Sequence, residues 1–310
     1  MPNIHKFLTI TVPEGTEVEY TKFKHNDGTL VVTLPSIKEF ERNDHFRITL
    51  YQQSVDDLML VGQIVDIIKR NTRVRPAILL ELMSPAYMRY DRVMLADKTD
   101  AFGLSIFAKF LEATGVTRVA TLDAHSTMLS TLMNDKYIKC YDNNQFGVLK
   151  EVMSANFGES KRVLFSAIPE NYGIILPDAG AKKKWGTGGY LAACSKSRNP
   201  NNGRLSEFDI DPKDFHRVMD SKVERLLIVD DICENGGTFI GCAQMLKDRG
   251  VTKPMDLYIT HGIFPKIEAM EHLGYHFGNI FIHSCKLSTY NDLKTHCKAN
   301  IFALNVYTEH

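Results

Sequence analysis

With 310 residues and 44% hydrophobic side chains, the chain is long enough for two domains of ordinary size, each with its own core. Lysine plus arginine equals aspartate plus glutamate at 37 each, so no broad basic field exists to hold a nucleic-acid backbone, and no apolar run approaches the ~20 residues that span a membrane. Cys140, Cys194, Cys233, Cys242, Cys285 and Cys297 form no C-x-x-C pair and the start M-P-N-I-H-K lacks a signal-peptide core, which points to a reducing, cytoplasmic setting and small-molecule substrates.

Strands are expected over 18–23 and 30–34, joined at Asn26-Asp27-Gly28, a strong hairpin turn. A third strand over 46–51 runs into Ser54, which caps a helix with Asp57 three residues on. Leu58, Val61, Val65 and Ile68 give that helix its buried face. A strand over 77–82 follows, bounded by Pro76 and Pro85. Then Y-M-R-Y-D-R over 87–92 places two arginines around an aromatic and an acid, in a loop at a strand's C-terminal end, where open α/β sheets bind ligands. Arginine there can clamp phosphates while Tyr90 stacks on or hydrogen-bonds a base; a solvated, salt-bridged loop has the same composition.

Leu104, Phe107, Ala108 and Leu111 mark another amphipathic helix, stopped by Gly115, and a strand over 116–122 ends in Asp123-Ala124-His125. Asp and His two apart at a strand terminus project near one mouth, where a neutral imidazole can meet a metal or a phosphate-bound Mg²⁺; a structural histidine is the plainer alternative. The domain boundary is expected over 142–170, helical around 147–153 and then polar. A strand over 173–176 leads to Pro177-Asp178-Ala179-Gly180, an acid again at a strand's end. Lys182, Lys183 and Lys184 form a short basic run, either a solvated helix start or an attractor of phosphate. Residues 185–203 hold Gly186, Gly188 and Gly189, then S-K-S-R and N-P-N-N-G, the composition of a mobile loop that closes over reacting phosphates. Lys196 and Arg198, two apart, share one side of an extended segment.

The most informative run is R-L-L-I-V-D-D-I-C-E-N-G-G-T-F over 225–239. Four apolar residues read as a buried strand that stops at Asp230-Asp231, after which Gly236 and Gly237 open a helix capped by Thr238. Phe239, Cys242, Ala243 and Leu246 form that helix's buried face and Gly250 its stop. The glycines let the backbone approach a ligand, and a helix N-terminus is a ready phosphate site. Carboxylates beside a phosphate cradle suit hydroxyls or Mg²⁺, so the run suggests a ribose phosphate; a strand-turn-helix corner with incidental acids is the bland alternative. Strands over 255–260 and 280–283 complete a strand-helix alternation that runs twice, which implies two related α/β domains.

Over nearly its whole length the chain resembles the ribose-phosphate pyrophosphokinases. Y-M-R-Y-D-R is similar to that family's Y-x-R-x-D-R nucleotide loop, and G-V-T-R-V-A-T-L-D-A-H to its strand ending D-x-H. P-D-A-G at Asp178, K-S-R as the catalytic K-x-R loop, and T-H-G-I-F at Thr260 follow in family order. The 225–239 run resembles the phosphoribosyl pyrophosphate loop, which type I phosphoribosyltransferases share. The resemblance implies two tandem type I phosphoribosyltransferase-like domains, each a mostly parallel sheet flanked by helices: 1–145 on the ATP side and 146–310 on the ribose phosphate side.

It also implies a diphosphokinase that transfers the β,γ-diphosphate of MgATP to the C1 hydroxyl of ribose 5-phosphate, releasing AMP. By the same resemblance ATP binds between the domains through Arg89, Tyr90, Asp91 and His125, with the cofactor Mg²⁺ near His125 and Asp178. Ribose 5-phosphate lies in the loop of Asp230, Asp231, Glu234, Asn235, Gly236, Gly237 and Thr238, and Lys196 and Arg198 stabilise charge on the moving diphosphate. A homo-oligomer, dimer or hexamer, with shared active sites is implied as well.

Three positions depart from the family pattern. N-D-G-T places Thr29 where F-x-D-G-E has a glutamate that reaches a neighbour's adenine, Tyr90 stands where glutamine is usual, and Glu234-Asn235 replaces aspartate-threonine. The last leaves open a larger 5-phosphorylated ribose such as ADP-ribose as acceptor. A phosphoribosyltransferase using the same loop and a non-catalytic regulatory homologue are the rivals; the intact D-A-H and K-S-R motifs argue against both.

Overall fold

A computed structural model describes residues 1–34, 40, 43–84, 86–95, 97–135, 138–157, 171–178, 185, 190–198 and 205–309, with backbone alone for 196–198 and 205–207. By its contacts the chain divides into an N-terminal unit, Lys6–Asn143, and a C-terminal unit, Met1–His5 with Asn144–Thr308. The division assigns the first five residues to the C-terminal unit and Glu309–His310 to the N-terminal one, and its break falls at 143/144. Strand β1 (Asn3–His5) pairs in parallel with the last strand, β15 (Asn300–Tyr307), matching Asn3, Ile4 and His5 to Asn305, Val306 and Tyr307. An edge strand's unpaired N–H and C=O groups recruit this short segment.

The sheet of the N-terminal unit runs β2 (Leu8–Thr11), β5 (His45–Leu50), β6 (Ala77–Leu82), β7 (Arg118–Leu122), β8 (Lys139–Asn143), parallel except that β2 opposes β5. Every second residue of β5 and β6 is buried, Phe46, Ile48 and Leu50 beside Ile78, Leu80 and Leu82, as the two-residue period of a strand requires. Strands β3 (Thr21–Lys24) and β4 (Leu30–Thr33) form the hairpin, closed at Gly28, whose φ is +90°. It starts later than expected because Val18 N–H donates instead to Ile10 of β2 at 2.8 Å.

Helix α1 (Asp56–Asn71) buries Leu58, Val61, Val65 and Ile68 as its spacing predicts. Its start is not capped by the Ser54 side chain. Asp57 reaches back instead, Oδ2 accepting the N–H groups of Gln53 and Ser54, which precede the helix, at 2.7 and 2.8 Å. Gln63 of this helix docks the hairpin, accepting from Val32 N–H at 3.0 Å and donating to the Leu30 carbonyl at 2.7 Å. Helices α2 (Gly103–Ala113) and α3 (Met128–Asn134) complete the unit, with Leu104, Phe107, Ala108 and Leu111 of α2 buried.

The sheet of the C-terminal unit has eight strands in the order β1, β15, β14 (Asn279–Lys286), β13 (Met255–Gly262), β12 (Arg225–Cys233), β9 (Tyr172–Leu176), β10 (Leu191–Arg198), β11 (Leu205–Ile210). All neighbours are parallel except β10 and β11. Alternation assigns the faces. Leu226, Ile228, Leu257, Ile259, Ile280 and Ile282 enter one core, with Phe239, Leu246, Met270, Leu273 and Leu293 from α6 (Gly237–Asp248), α7 (Ile267–His276) and α8 (Leu287–His296). Leu227, Val229, Tyr258 and Phe281 enter a second core on the other face, with Leu149, Val152 and Met153 of α4 (Gln145–Phe157). Burial on both faces explains why these strands read as unbroken apolar runs, each fully buried side chain contributing about 1.5–3 kcal/mol. A short helix α5 (Pro212–Val218) is capped by Asp211, which accepts from Lys213 N–H at 2.8 Å.

Strand β10 corrects the expectation of a loop over 185–203. Leu191, Ala192 and Ala193 pair with Ile174, Ile175 and Leu176, and from Cys194 onward β11 folds back as a second partner, with a bulge between Ser197 and Arg198. Near the opposite, N-terminal end of the central strands, buried Asp256 accepts from Arg225 Nε and Nη2 at 2.8 and 2.7 Å and from the Tyr172 hydroxyl at 2.6 Å. Asn279 adds its N–H and its Nδ2, both at 2.9 Å. Among the described residues no helix is long and apolar enough to cross a membrane.

Candidate active site

The corner between β12 and α6 differs from its sequence reading in two respects. The strand does not stop at the acidic pair; β13 lies alongside and carries the register on, pairing Asp230 with Ile259, Ile232 with His261 and Cys233 with Gly262. Nor does Thr238 cap the helix. Gly236 holds the N-cap position with φ +73°, a left-handed conformation that costs other residues about 1–2 kcal/mol, and Thr238 is the second residue of α6. The Gly236 carbonyl accepts from Phe239 and Ile240 N–H groups, each at 3.0 Å.

A β-carbon added to Gly236 would stand 3.2 Å from Leu273, whereas one added to Gly237 would meet none of the described residues within 4 Å. Among the described residues the helix start at Gly237 is thus uncrowded, and the N–H groups there that the Gly236 carbonyl does not take, those of Gly237 and Thr238, suit an anion. Glu234 and Asn235 are exposed and Thr238 is half-buried at the rim. Asp231 is buried and Asp230 half-buried, and the Asp231 N–H donates to Asp230 Oδ1 at 3.0 Å. Burial, then the charge of Asp231 and, at smaller weight, that of Asp178 hold the Asp230 carboxyl well above the usual carboxylate range. Hydroxyl donors or a cation delivered to this corner would relieve that repulsion.

In the N-terminal unit the loop after β6 carries Arg89 and Tyr90 exposed and Asp91 buried. Asp91 receives Arg92 at two points, Nε to Oδ1 at 2.9 Å and Nη2 to Oδ2 at 3.2 Å. That bond, with lesser help from the Ser126 hydroxyl and from Arg92 and His125 charge, holds its carboxyl below the ordinary range despite burial. Asp91 is thus buried and tied to its neighbour Arg92. His125 itself is exposed, on a turn whose preceding residue, buried Asp123, has φ +45°. Asp142 of β8 secures that turn, Oδ1 accepting from Ala124 N–H at 2.9 Å and from Thr121 Oγ1 at 2.8 Å.

The fold gathers Asp178, Asp230 and Asp231 in one unit and Asp91 with His125 in the other. The side chains of Lys196 and Arg198 lie outside the described residues, as do Lys182 to Lys184, Gly186, Gly188, Gly189 and the N-P-N-N-G segment; only the strand backbone of Lys196 and Arg198 is described. Ser126 and Asp142 escaped the sequence reading. Each acts through a partner distant in the chain, and no local motif signals it. Among the described residues no three His, Cys, Asp or Glu side chains gather closely enough to enclose an ion.

Two tandem α/β units, the second with a glycine corner at the end of its central strand, define a phosphoribosyltransferase-like fold of the tandem kind. The crystal structure of phosphoribosylpyrophosphate synthetase from Mycobacterium smegmatis has this fold: it matches 94% of this chain and 87% of its own with a TM-score of 0.67, at 16% sequence identity. The ribose-phosphate pyrophosphokinase of Ureaplasma parvum is 27% identical over 270 residues, 84% of this chain and 72% of that protein. Those of Hyphomonas neptunium and Vibrio cholerae are 25% and 28% identical over 213 and 211 residues, and both matches span 60% of the relative's length. No protein-family model matches the chain. In sequence the chain is similar to ribose-phosphate pyrophosphokinases, and in fold to a phosphoribosylpyrophosphate synthetase.

Proposed function

We propose that the protein is a ribose-phosphate diphosphokinase, which moves the β,γ-diphosphate of MgATP to the C1 hydroxyl of ribose 5-phosphate and leaves AMP. The observation that carries this reading is the β12–α6 corner: an open helix start at Gly237 beside carboxylates whose mutual repulsion invites hydroxyls or a cation. The names of the relatives support it.

The 5-phosphate rests on the N–H groups of the first turn of α6 and on Thr238, and the ribose hydroxyls donate to Asp230 and Asp231. The C1 oxygen then attacks the β-phosphorus, its proton is lost, and the bond from the β-phosphorus to the bridging oxygen of AMP breaks. Such a displacement needs alignment and positive charge more than covalent help, and Lys196 and Arg198 supply the charge. Arg89 meets the donor's phosphates and Tyr90 its base. Asp91 fixes the loop that presents both. His125 and Asp178 would approach the magnesium of MgATP, which would neutralise phosphate charge when bound. The enzyme acts as a homo-oligomer.

A second reading changes only the acceptor. Open space at Gly237 and the exposed Glu234 and Asn235 leave room beyond the 5-phosphate, as a diphosphate-linked ribose such as ADP-ribose requires. Parallel assays of AMP release from ATP with ribose 5-phosphate and with ADP-ribose distinguish the two; no AMP with either acceptor sinks both readings.

A further inference from the structure

The loop after β6 exposes aromatic surface that packing does not require. Tyr87 and Tyr90 are 45% and 61% exposed, with ring centroids 6.5 Å apart and planes at 63°, an edge-to-face pair. Tyr87 is rooted in the core of its unit, its ring 5.8 Å from that of buried Phe107 in α2. The backbone fixes Tyr90 above it: Tyr90 N–H donates to the Tyr87 carbonyl at 2.9 Å, and Leu104 N–H donates to the Tyr90 carbonyl at 3.0 Å. A β-carbon at Gly103 would stand 3.1 Å from Tyr87 Cδ1 and 3.1 Å from Tyr90 Cβ, so glycine lets α2 begin against the pair. Tyr87 also has φ +61°, a strained conformation for a bulky residue that persists only where surroundings hold it and that clusters at ligand sites.

The polar groups around the pair are engaged elsewhere. Asp91 holds Arg92 with both oxygens, Asp97 Oδ1 receives Thr99 N–H at 3.2 Å and Thr99 Oγ1 at 2.8 Å, and the two oxygens of Asp100 receive Met94 and Leu95 N–H groups at 2.6 and 3.0 Å. These acids of the loop, groups suited to accept from the exocyclic amine of adenine, already accept from the loop's own backbone and side chains. Beside the tyrosines the loop turns outward Val93, Met94 and Leu95, each more than 40% exposed, along with the charged Arg89 and Arg92.

Resting on the donor-site reading above, we propose that the Tyr87–Tyr90 pair is the nucleobase platform and holds the base by its face, so that the donor site accepts guanosine and other nucleoside triphosphates nearly as well as ATP. Stacking on an aromatic ring is tolerant because every base has a π-face, whereas a site built to hydrogen-bond one edge rejects a substrate lacking it by about 10⁴–10⁵-fold. Tyr90 is the specificity-determining position because it is the more exposed ring of the pair and offers a base a face rather than a hydrogen-bonding edge.

Calorimetric titration with α,β-methylene ATP and α,β-methylene GTP tests this without requiring turnover. The expected result is affinities within about tenfold of each other for the unaltered protein, a loss of about 10- to 100-fold for both ligands in Tyr90→Ala, and recovery to within about twofold in Tyr90→Phe. A preference for the ATP analogue of a thousandfold or more, or unchanged binding in Tyr90→Ala at an unchanged melting temperature, overturns the platform. Binding of neither analogue overturns it together with the donor site. Tyrosine-dependent binding of both analogues, with no AMP released when ATP itself and an acceptor are supplied instead, overturns the proposed transfer and leaves the platform standing.

Discussion

The Asp231 N–H donates to Asp230 Oδ1 at 3.0 Å, so two consecutive acids of β12 meet through a hydrogen bond as well as through like charge. Because the Asp230 carboxyl is held above its unfolded-state pKa, its neutral form is the stabilising one. That contribution is fully present below the unfolded carboxylate pKa and is lost as pH rises through the folded value. Asp230→Asn keeps the accepting oxygen and removes the charge. The variant should melt higher than the parent at pH 8, by ~2–4 °C for each kcal/mol relieved, with the gap closing as pH falls toward 4, and should lose affinity for ribose 5-phosphate. Melting curves across that range check it, and a variant less stable at pH 8 contradicts the charge account.

Gly236 and Gly237 are adjacent yet should respond in opposite directions. Alanine at 236 must adopt φ +73° and crowd Leu273, so Gly236→Ala should cost about 1–2 kcal/mol of stability. Alanine at 237 meets only space and sits in the first helical turn, so Gly237→Ala should keep stability or gain about 0.4–1 kcal/mol. Its methyl nevertheless enters the place assigned to the 5-phosphate, and KM for ribose 5-phosphate should rise tenfold or more. Denaturant melts paired with saturation kinetics separate the effects; an unchanged KM in Gly237→Ala removes the phosphate from this corner.

How much of this was readable in advance depends on where each residue's partners lie. The buried faces of α1, α2 and α6 were legible because 3.6-residue periodicity is local, and Phe239, Cys242, Ala243 and Leu246 are all buried as that period requires. The β12–α6 corner was legible for the same reason. Its detail was not: the strand runs on through two aspartates only because β13 supplies ladder partners. Leu191–Arg198, L-A-A-C-S-K-S-R, opens with four small or apolar residues of weak strand preference and ends polar, and becomes a strand because β9 and β11 lie on either side. Helix α8, L-S-T-Y-N-D-L-K-T-H, buries only Thr289 and Leu293, too thin a stripe to announce itself.

The Asp256 cluster was equally hidden, since Tyr172, Arg225 and Asn279 approach from three other strands. Asp256→Ala leaves the Arg225 charge and the other donors without their acceptor, and should cost about 3–5 kcal/mol. The cluster lies roughly 20 Å along β13 from the end that adjoins Cys233, at about 3.3 Å per residue. Turnover per folded molecule should therefore hold. Chemical denaturation with active-site titration measures both, and a stable but inactive variant would refute the separation.

Lys196→Ala and Arg198→Ala should each lower kcat at least about a hundredfold with the melting temperature unchanged, in keeping with the value of a placed cation in phosphoryl transfer. Initial rates of AMP release check this. Near-parental release from either variant removes that residue from the chemistry.

Phosphorus NMR of the protein with MgATP and ribose 5-phosphate tests the whole account most directly. Growth of AMP together with a diphosphate attached at C1 of the ribose, at equal rates, is the predicted result. A spectrum in which ATP persists unchanged, or in which ADP and a ribose bisphosphate appear instead, contradicts it.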